Sequence, residues 1–267
     1  MDMAVHEGSR IARLPAFLRR PALIVRNLRA SLAPAPAPPA RRFRFEGDGL
    51  GTDHFSPFVD DAEFTALYES MKREWFVDAD VGDVRWRMWL LTRCARQCSG
   101  LAGSFAEFGV YRAGCAFMIL ATRSIAPGQR FFLFDTFQGI PAQRLLPAES
   151  EHGFAGRWAD TSAEYVRERL APWRDALHLV PGDVFETLPR TETGPIAFSH
   201  VDLNAAAPTL AVLEYLYPRL VKGAMLVFDD YGFGGYEEQR RVVDEFFASR
   251  PEQVLATPAG PALVVKL

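Results

Sequence analysis

Ala224-Met225-Leu226-Val227-Phe228-Asp229-Asp230-Tyr231-Gly232 reads as an apolar strand that ends on two carboxylates. A second stretch, Ile196-Ala197-Phe198-Ser199-His200-Val201, likewise runs straight into Asp202. In an open α/β sheet the carboxyl ends of neighbouring parallel strands share one crevice, and ligands bind there. Three carboxylates delivered to that crevice repel one another unless a cation neutralises them. Clustered oxygen donors suit a hard divalent ion such as Mg2+. Asp202, Asp229 and Asp230 are therefore the candidate metal ligands, and the chain reads first as a metal-assisted enzyme.

Working outward, helical and strand patterns alternate from about residue 60, as a doubly wound fold requires. Helices are predicted over 60–75, 85–98, 114–124, 209–216 and 237–248. Strands are predicted over 104–110, 131–134 ending at Asp135, 177–180, 196–201 and 224–228. Thr161-Ser162-Ala163-Glu164 has the spacing of a capping box and opens a helix to about Leu170. The stretch 138–160 has few periodic positions and reads as a long loop. Two last strands, 253–257 and 262–266, flank the turn Pro258-Ala259-Gly260-Pro261 with no room for a helix, so they must form an antiparallel hairpin. The expected fold is α/β: a doubly wound, mostly parallel, Rossmann-like sheet with a C-terminal antiparallel hairpin.

Bulk properties bound the function without naming it. The 267 residues are 49% hydrophobic and 24% charged, enough for a sizeable core. The net charge is −3 but uneven: residues 1–50 carry nine Arg against four acids, leaving 21 basic and 29 acidic residues beyond them. That acidic body excludes a nucleic-acid binder. Cys94, Cys98 and Cys115 lack zinc-ligand spacing and read as reduced thiols of an intracellular, cytoplasmic protein. The segment from Arg10 to Leu32 interleaves apolar residues with Arg, and Arg and Pro interrupt any signal-peptide core. It is read as a packing element for a homo-oligomer or a floppy extension, although a basic amphipathic helix can also rest on an anionic membrane surface. The stiff run Ala33-Pro34-Ala35-Pro36-Ala37-Pro38-Pro39 follows it. The expected division is an extension over residues 1–50 and one enzymatic domain over 51–267.

The first long strand carries Glu107-Phe108-Gly109-Val110-Tyr111-Arg112-Ala113-Gly114. Glycine after a first strand lets the backbone turn tightly against a bound nucleoside. The three-glycine dinucleotide fingerprint is absent, so a ligand with an amino-acid end and a ribose, without a pyrophosphate, fits better. Asp135 ends the second strand, where a carboxylate can accept from ribose hydroxyls. The plainer alternative is a pair of turn glycines with Asp135 as a helix cap.

These motifs, with Phe134-Asp135-Thr136-Phe137-Gln138-Gly139-Ile140-Pro141, Gly182-Asp183-Val184-Phe185-Glu186-Thr187-Leu188-Pro189 and Asp202 through Tyr231, occur in one order. Together they resemble the macrocin-type O-methyltransferases, which methylate sugar hydroxyls on macrolides and related glycosides. The resemblance covers roughly residues 85–267. It implies a class I methyltransferase that uses S-adenosylmethionine and a divalent cation, usually magnesium, on Asp202, Asp229 and Asp230. It implies methionine-end contacts from Glu107, Phe108, Gly109, Tyr111, Arg112 and Gly114. It also implies a ribose contact at Asp135 beside Thr136 and Phe137, and an adenine end near Gly182 and Asp183. Two departures stand out. The family's Asp-x-Asp-x-Tyr run is Asp202-Leu203-Asn204-Ala205-Ala206 here, and Ala113 replaces a usual glycine.

The chemistry has its own logic. A sugar hydroxyl is a weak nucleophile, and a divalent ion lowers the pKa of an oxygen bound to it. A general base adds about 10²–10⁴-fold. Asn204 cannot supply one, so the candidates are Asp202, His200 on the strand before it, and His152 in the loop. The small-molecule or glycan acceptor itself is not specified by these residues. The departures leave a second reading open, a catalytically impaired relative that binds the cofactor or a glycan. A nucleoside-dependent oxidoreductase is a third.

Overall fold

The computed structural model describes residues 43–75, 82–122 and 124–267. The expectations for the basic segment, its Pro/Ala linker and the extension up to residue 42 lie outside the described residues. The compact unit begins at Phe43. It opens with a hairpin of β1 (Phe45–Gly47) and β2 (Leu50–Thr52). Phe45 is buried against Phe58, which anchors that hairpin to the body.

Helices α1 (Ala62–Trp75) and α2 (Arg85–Cys98) lead to β3 (Ser104–Phe108), α3 (Gly114–Ala121) and β4 (Phe131–Asp135). The loop-rich stretch folds a short helix α4 (Pro147–Glu151) before α5 (Ala163–Arg169) and β5 (Leu177–Pro181). Then come α6 (Val184–Thr187), β6 (Ile196–Val201), α7 (Ala206–Leu216), β7 (Leu220–Phe228), α8 (Glu237–Phe247), β8 (Leu255–Ala256) and β9 (Ala262–Val265). Among the described residues seven strands form one sheet in the order β5-β4-β3-β6-β7-β9-β8. The first five are parallel, while β9 runs antiparallel to β7 and β8 antiparallel to β9. The expected doubly wound, mostly parallel α/β sheet, with its reversed C-terminal hairpin, is what forms.

Period-two alternation divides each central strand between two apolar layers. Phe105 joins Leu91, Met118 and Ile119 on one face; Ala106 and Phe108 join Val212, Leu213 and Val243 on the other. Chain reversal falls between β3 and β6, where β3 leads outward to β4 and β6 leads to β7. The crevice opens at that switch point, outside the carboxyl ends of the strands.

Two local expectations change. The helix after residue 160 is capped by Ser162, whose hydroxyl accepts from Tyr165 N at 3.0 Å, so the Thr161/Glu164 capping box is not the device used. The loop 138–160 is not structureless. Glu149, buried in α4, accepts from its own helix start (Leu146 N, 2.8 Å) and from Ala206 N at 2.6 Å. A loop carboxylate thereby caps α7 and ties the loop to the end of β6, a pairing across 57 positions that no local pattern announces. Among the described residues no helix is long and apolar enough to cross a membrane.

Candidate active site

The cavity at the switch point is lined by β3, β4, β6 and β7 ends and by the loop over them. At its floor Gly109 turns with φ +85°, and a Cβ there would lie 1.7 Å from the Asp202 carbonyl oxygen. Only glycine allows the two strand ends to approach this closely. The next turn is held in left-handed conformations by non-glycine residues, Tyr111 (φ +50°) and Ala113 (φ +64°). Ala113 therefore takes up a backbone shape that glycine adopts more easily.

Asp135 supports that turn. Its Oδ2 accepts from Val110 N at 2.7 Å and Tyr111 N at 2.8 Å, and its Oδ1 accepts from Phe137 N at 2.6 Å. Three backbone amides use most of the carboxylate's acceptor capacity, so Asp135 shapes the loop first and has little left for two ribose hydroxyls.

Glu107 and His200 face each other in the β3–β6 register, and His200 Nδ1 lies 2.9 Å from Glu107 Oε1. His200 Nε2 points to Asp229 Oδ1 at 3.6 Å. Arg87 from α2 donates to Asp229 Oδ2 at 2.6 Å and forks onto Asp48 at 3.0 and 3.1 Å, at the tip of the β1–β2 hairpin. A buried chain of alternating charge thus runs Glu107, His200, Asp229, Arg87, Asp48. Burial alone would discharge His200, but the Asp229 and Glu107 carboxylates raise its pKa to about 10. Burial likewise pushes Asp229 upward, but Arg87 and His200 outweigh it and hold that carboxyl below its usual range.

Asp202, Asp229 and Asp230 each bring a carboxylate oxygen within 4.8 Å of the others. Burial and the repulsion of its two neighbours raise Asp202 well above the usual range. Burial and Asp229 raise Asp230 to about 7. An all-oxygen set with this surplus of negative charge fits a hard divalent cation. Glu107 Oε2 is buried without a hydrogen-bond partner while Glu107 lines the cavity, which fits a ligand carrying an ammonium group.

Of the other candidate residues, Gly109, Tyr111, Gly114, Thr136, Gly182 and Asp183 line the cavity with Asp135. Asp183 also caps α6 and pairs with Arg144 at 2.6 Å. Phe108 does not reach the cavity: it is buried and stacks on Phe134 at 4.6 Å. Phe137 is buried in the opposite apolar layer. Arg112 turns outward to Asp160 at 2.7 Å. The expectation that His152 covers the site is corrected: it is exposed, outside the cavity lining, and stacks on Phe154. His200 is corrected as an activating base, because it is fully buried between two carboxylates and its raised pKa keeps it protonated at neutral pH. The sequence reading did not anticipate Asp48, Arg87, Arg144, Arg157 or Tyr236 at the site. Each is an ordinary charged or aromatic residue in its local pattern, and only its distant partners mark it.

Residues 76–258 match the family described as Macrocin-O-methyltransferase (TylF). The chain belongs to that family. The chain is 30% identical over 145 residues to the 8-demethyl-8-(2,3-dimethoxy-alpha-L-rhamnosyl)-tetracenomycin-C 4'-O-methyltransferase of Streptomyces olivaceus, covering 49% of this chain and 54% of that protein. It is 28% identical over 144 residues to the mycinamicin III 3''-O-methyltransferase of Micromonospora griseorubida, covering 49% and 56%. The chain thus spans about half the length of the curated relatives it matches. Among solved structures, the O-methyltransferase NovP superposes with a TM-score of 0.61 at 21% identity, covering 67% of this chain and 79% of that one. The calicheamicin methyltransferase CalS11 superposes at 0.60 and 22%, covering 86% and 99%. These two establish the shared fold.

Proposed function

We propose that this protein transfers a methyl group from S-adenosylmethionine to a sugar hydroxyl of a glycosylated small molecule, with a divalent cation assisting. The observation that carries the reading is the meeting of two ligand-fitting features in one cavity. The Gly109–Gly114 turn, braced by Asp135, lies beside three gathered carboxylates. Family membership, the rhamnosyl group named for one curated relative and the O-methyl transfer named for both support the same choice.

In this reading Glu107 pairs with the ammonium of the methionine end, the turn around Gly109 lies along the cofactor, and Gly182 and Asp183 border its adenine end. Asp202, Asp229 and Asp230 hold the cation. S-adenosylmethionine supplies a sulfonium-activated methyl group, and the cation supplies charge that lowers the pKa of a hydroxyl brought against it. Arg87 and His200 keep Asp229 ionised, while the loop carrying Arg157 and Trp158 limits water entry above the carboxylates. Among the described residues no histidine lines the cavity, so proton removal falls to the carboxylates or to solvent. Positioning supplies much of the acceleration. The N-terminal segment is proposed to build a homo-oligomer.

The test pairs binding with turnover. Asp202→Asn and Asp229→Asn are expected to abolish methyl transfer to rhamnosyl glycosides while S-adenosylmethionine still binds by calorimetry. Excess chelator should inhibit the wild type and added Mg2+ should restore it. Full turnover in chelator would overturn the cation's part, and heat from NAD but not from S-adenosylmethionine would overturn the methyltransferase reading.

A further inference from the structure

Asn204 occupies a position where charge, backbone shape and hydrogen bonding all converge. It follows β6 in a left-handed conformation, φ +56°, and is buried. Its Nδ2 donates to Asp202 Oδ1 at 2.6 Å and to Asp230 Oδ2 at 2.8 Å, and its backbone N–H also reaches Asp230 Oδ2 at 3.2 Å. Both amide protons are thus spent on two carboxylates that repel each other. A carboxylate at 204 would add to that repulsion; a neutral donor relieves it. Hydrogen bonds from an amide to an ionised acceptor inside a protein are among the stronger ones.

Resting on the cation reading above, we infer that Asn204 is a built-in partial substitute for the cation, holding Asp202 and Asp230 together when the cation is away and keeping its affinity low enough for ready exchange. The reason is redundancy. A divalent ion and the amide's two N–H groups relieve the same repulsion, so each is worth less when the other is present. Coupling between two such effects is reciprocal: removing the amide must raise cation affinity by the factor by which the cation weakens the amide's contribution. Asn204 is therefore a positioning residue that tunes the site, and neither a base nor a ligand.

The experiment uses the full chain and three forms, wild type, Asn204→Gly and Asn204→Asp. Glycine adopts φ +56° without strain and keeps the backbone N–H, and its unfolded-state entropy is the same in chelator and in Mg2+, so the difference between the two conditions reports the side-chain amide. Thermal melting is followed in excess chelator and in Mg2+, and Mg2+ is titrated by calorimetry. In chelator the Gly form should melt several degrees below wild type and the Asp form lower still; Mg2+ should close most of both gaps. Mg2+ should bind the Gly form about threefold to tenfold more tightly than wild type, and the Asp form more tightly again. A Gly form that melts like wild type in chelator, or that binds Mg2+ equally or more weakly, would overturn the inference. Absence of Mg2+ binding in every form would instead remove the cation reading itself, leaving melting in chelator to decide whether Asn204 braces the two carboxylates.

Discussion

Arg87 and Asp229 lie 142 positions apart and meet through a 2.6 Å hydrogen bond in the wall of the cavity. Arg87 sits in the first turn of a helix outside the sheet, and Asp229 ends a central strand. Because the same guanidinium forks onto Asp48, the β1–β2 hairpin is tied to the carboxylate cluster through one side chain. Phe233 covers the guanidinium at 4.9 Å from its ring centroid.

Removing Arg87 should therefore leave Asp48 without its partner and Asp229 with His200 alone, both largely buried. Arg87→Ala is expected to cost about 3–5 kcal/mol of stability, the usual result of breaking a buried pair from one side. Arg87→Lys keeps the charge without the fork and should lose less. Urea unfolding of both variants checks this, and a loss below about 1 kcal/mol for the alanine form would show the chain of charges to be ornamental.

Gly109→Ala should fail for a geometric reason. Its Cβ would meet the Asp202 carbonyl at 1.7 Å with φ at +85°, so β3 and β6 ends must separate. Destabilisation well above 1 kcal/mol is expected, together with loss of S-adenosylmethionine binding in calorimetry. A stable variant with unchanged cofactor affinity would show that the turn does not form this way.

Asp135→Ala removes the acceptor for three backbone amides. Weakening of S-adenosylmethionine binding by about 1.5–3 kcal/mol is expected, the range for charge-assisted hydrogen bonds. Because the carboxylate acts chiefly on the loop, hydrogen exchange at Val110 and Tyr111 should quicken even without cofactor. Affinity loss with unchanged exchange would return Asp135 to a direct ribose contact alone.

His200 makes stability depend on pH. Its folded pKa is raised to about 10 by Asp229 and Glu107 against the opposing effect of burial, whereas the unfolded value is near 6.5. The contribution is thus complete below about pH 6.5 and lost as pH rises through 10, up to about 5 kcal/mol in all. In excess chelator the wild type should lose stability across this window faster than His200→Asn. Asp202 and Asp230 titrate in both proteins, so the difference in slope belongs to the histidine. Parallel slopes in urea unfolding from pH 7 to 10 would show that His200 is neutral in the fold.

Strand identity, the carboxyl ends of β6 and β7 and the helix over 85–98 were readable because burial on two faces imposes continuous apolar runs, and because Asp202, Asp229 and Asp230 interrupt those runs at one level of the sheet. Glycine at 109 was readable as a turn because it directly follows an apolar strand, while its contact with the Asp202 carbonyl was not. The loop 138–160 was not readable: α4 is held by Glu149 reaching Ala206, a contact that exists only once β6 and α7 are in place. The family resemblance implied Phe108 and Phe137 as cofactor contacts, yet strand alternation and the turn after β4 send both rings into the apolar layers.

The sequence by itself determined the doubly wound α/β order, the glycine turn and the delivery of three carboxylates to one sheet edge, since these follow from periodicity and from where polar residues end apolar runs. Packing decided the rest. The charge state of His200, the pinning of Asp229 by Arg87 and Asp48, and the bridging of Asp202 and Asp230 by Asn204 all arise between residues far apart in the chain or turned by an unusual backbone angle. Electrostatic energy depends on distance and burial, and only the folded chain sets those.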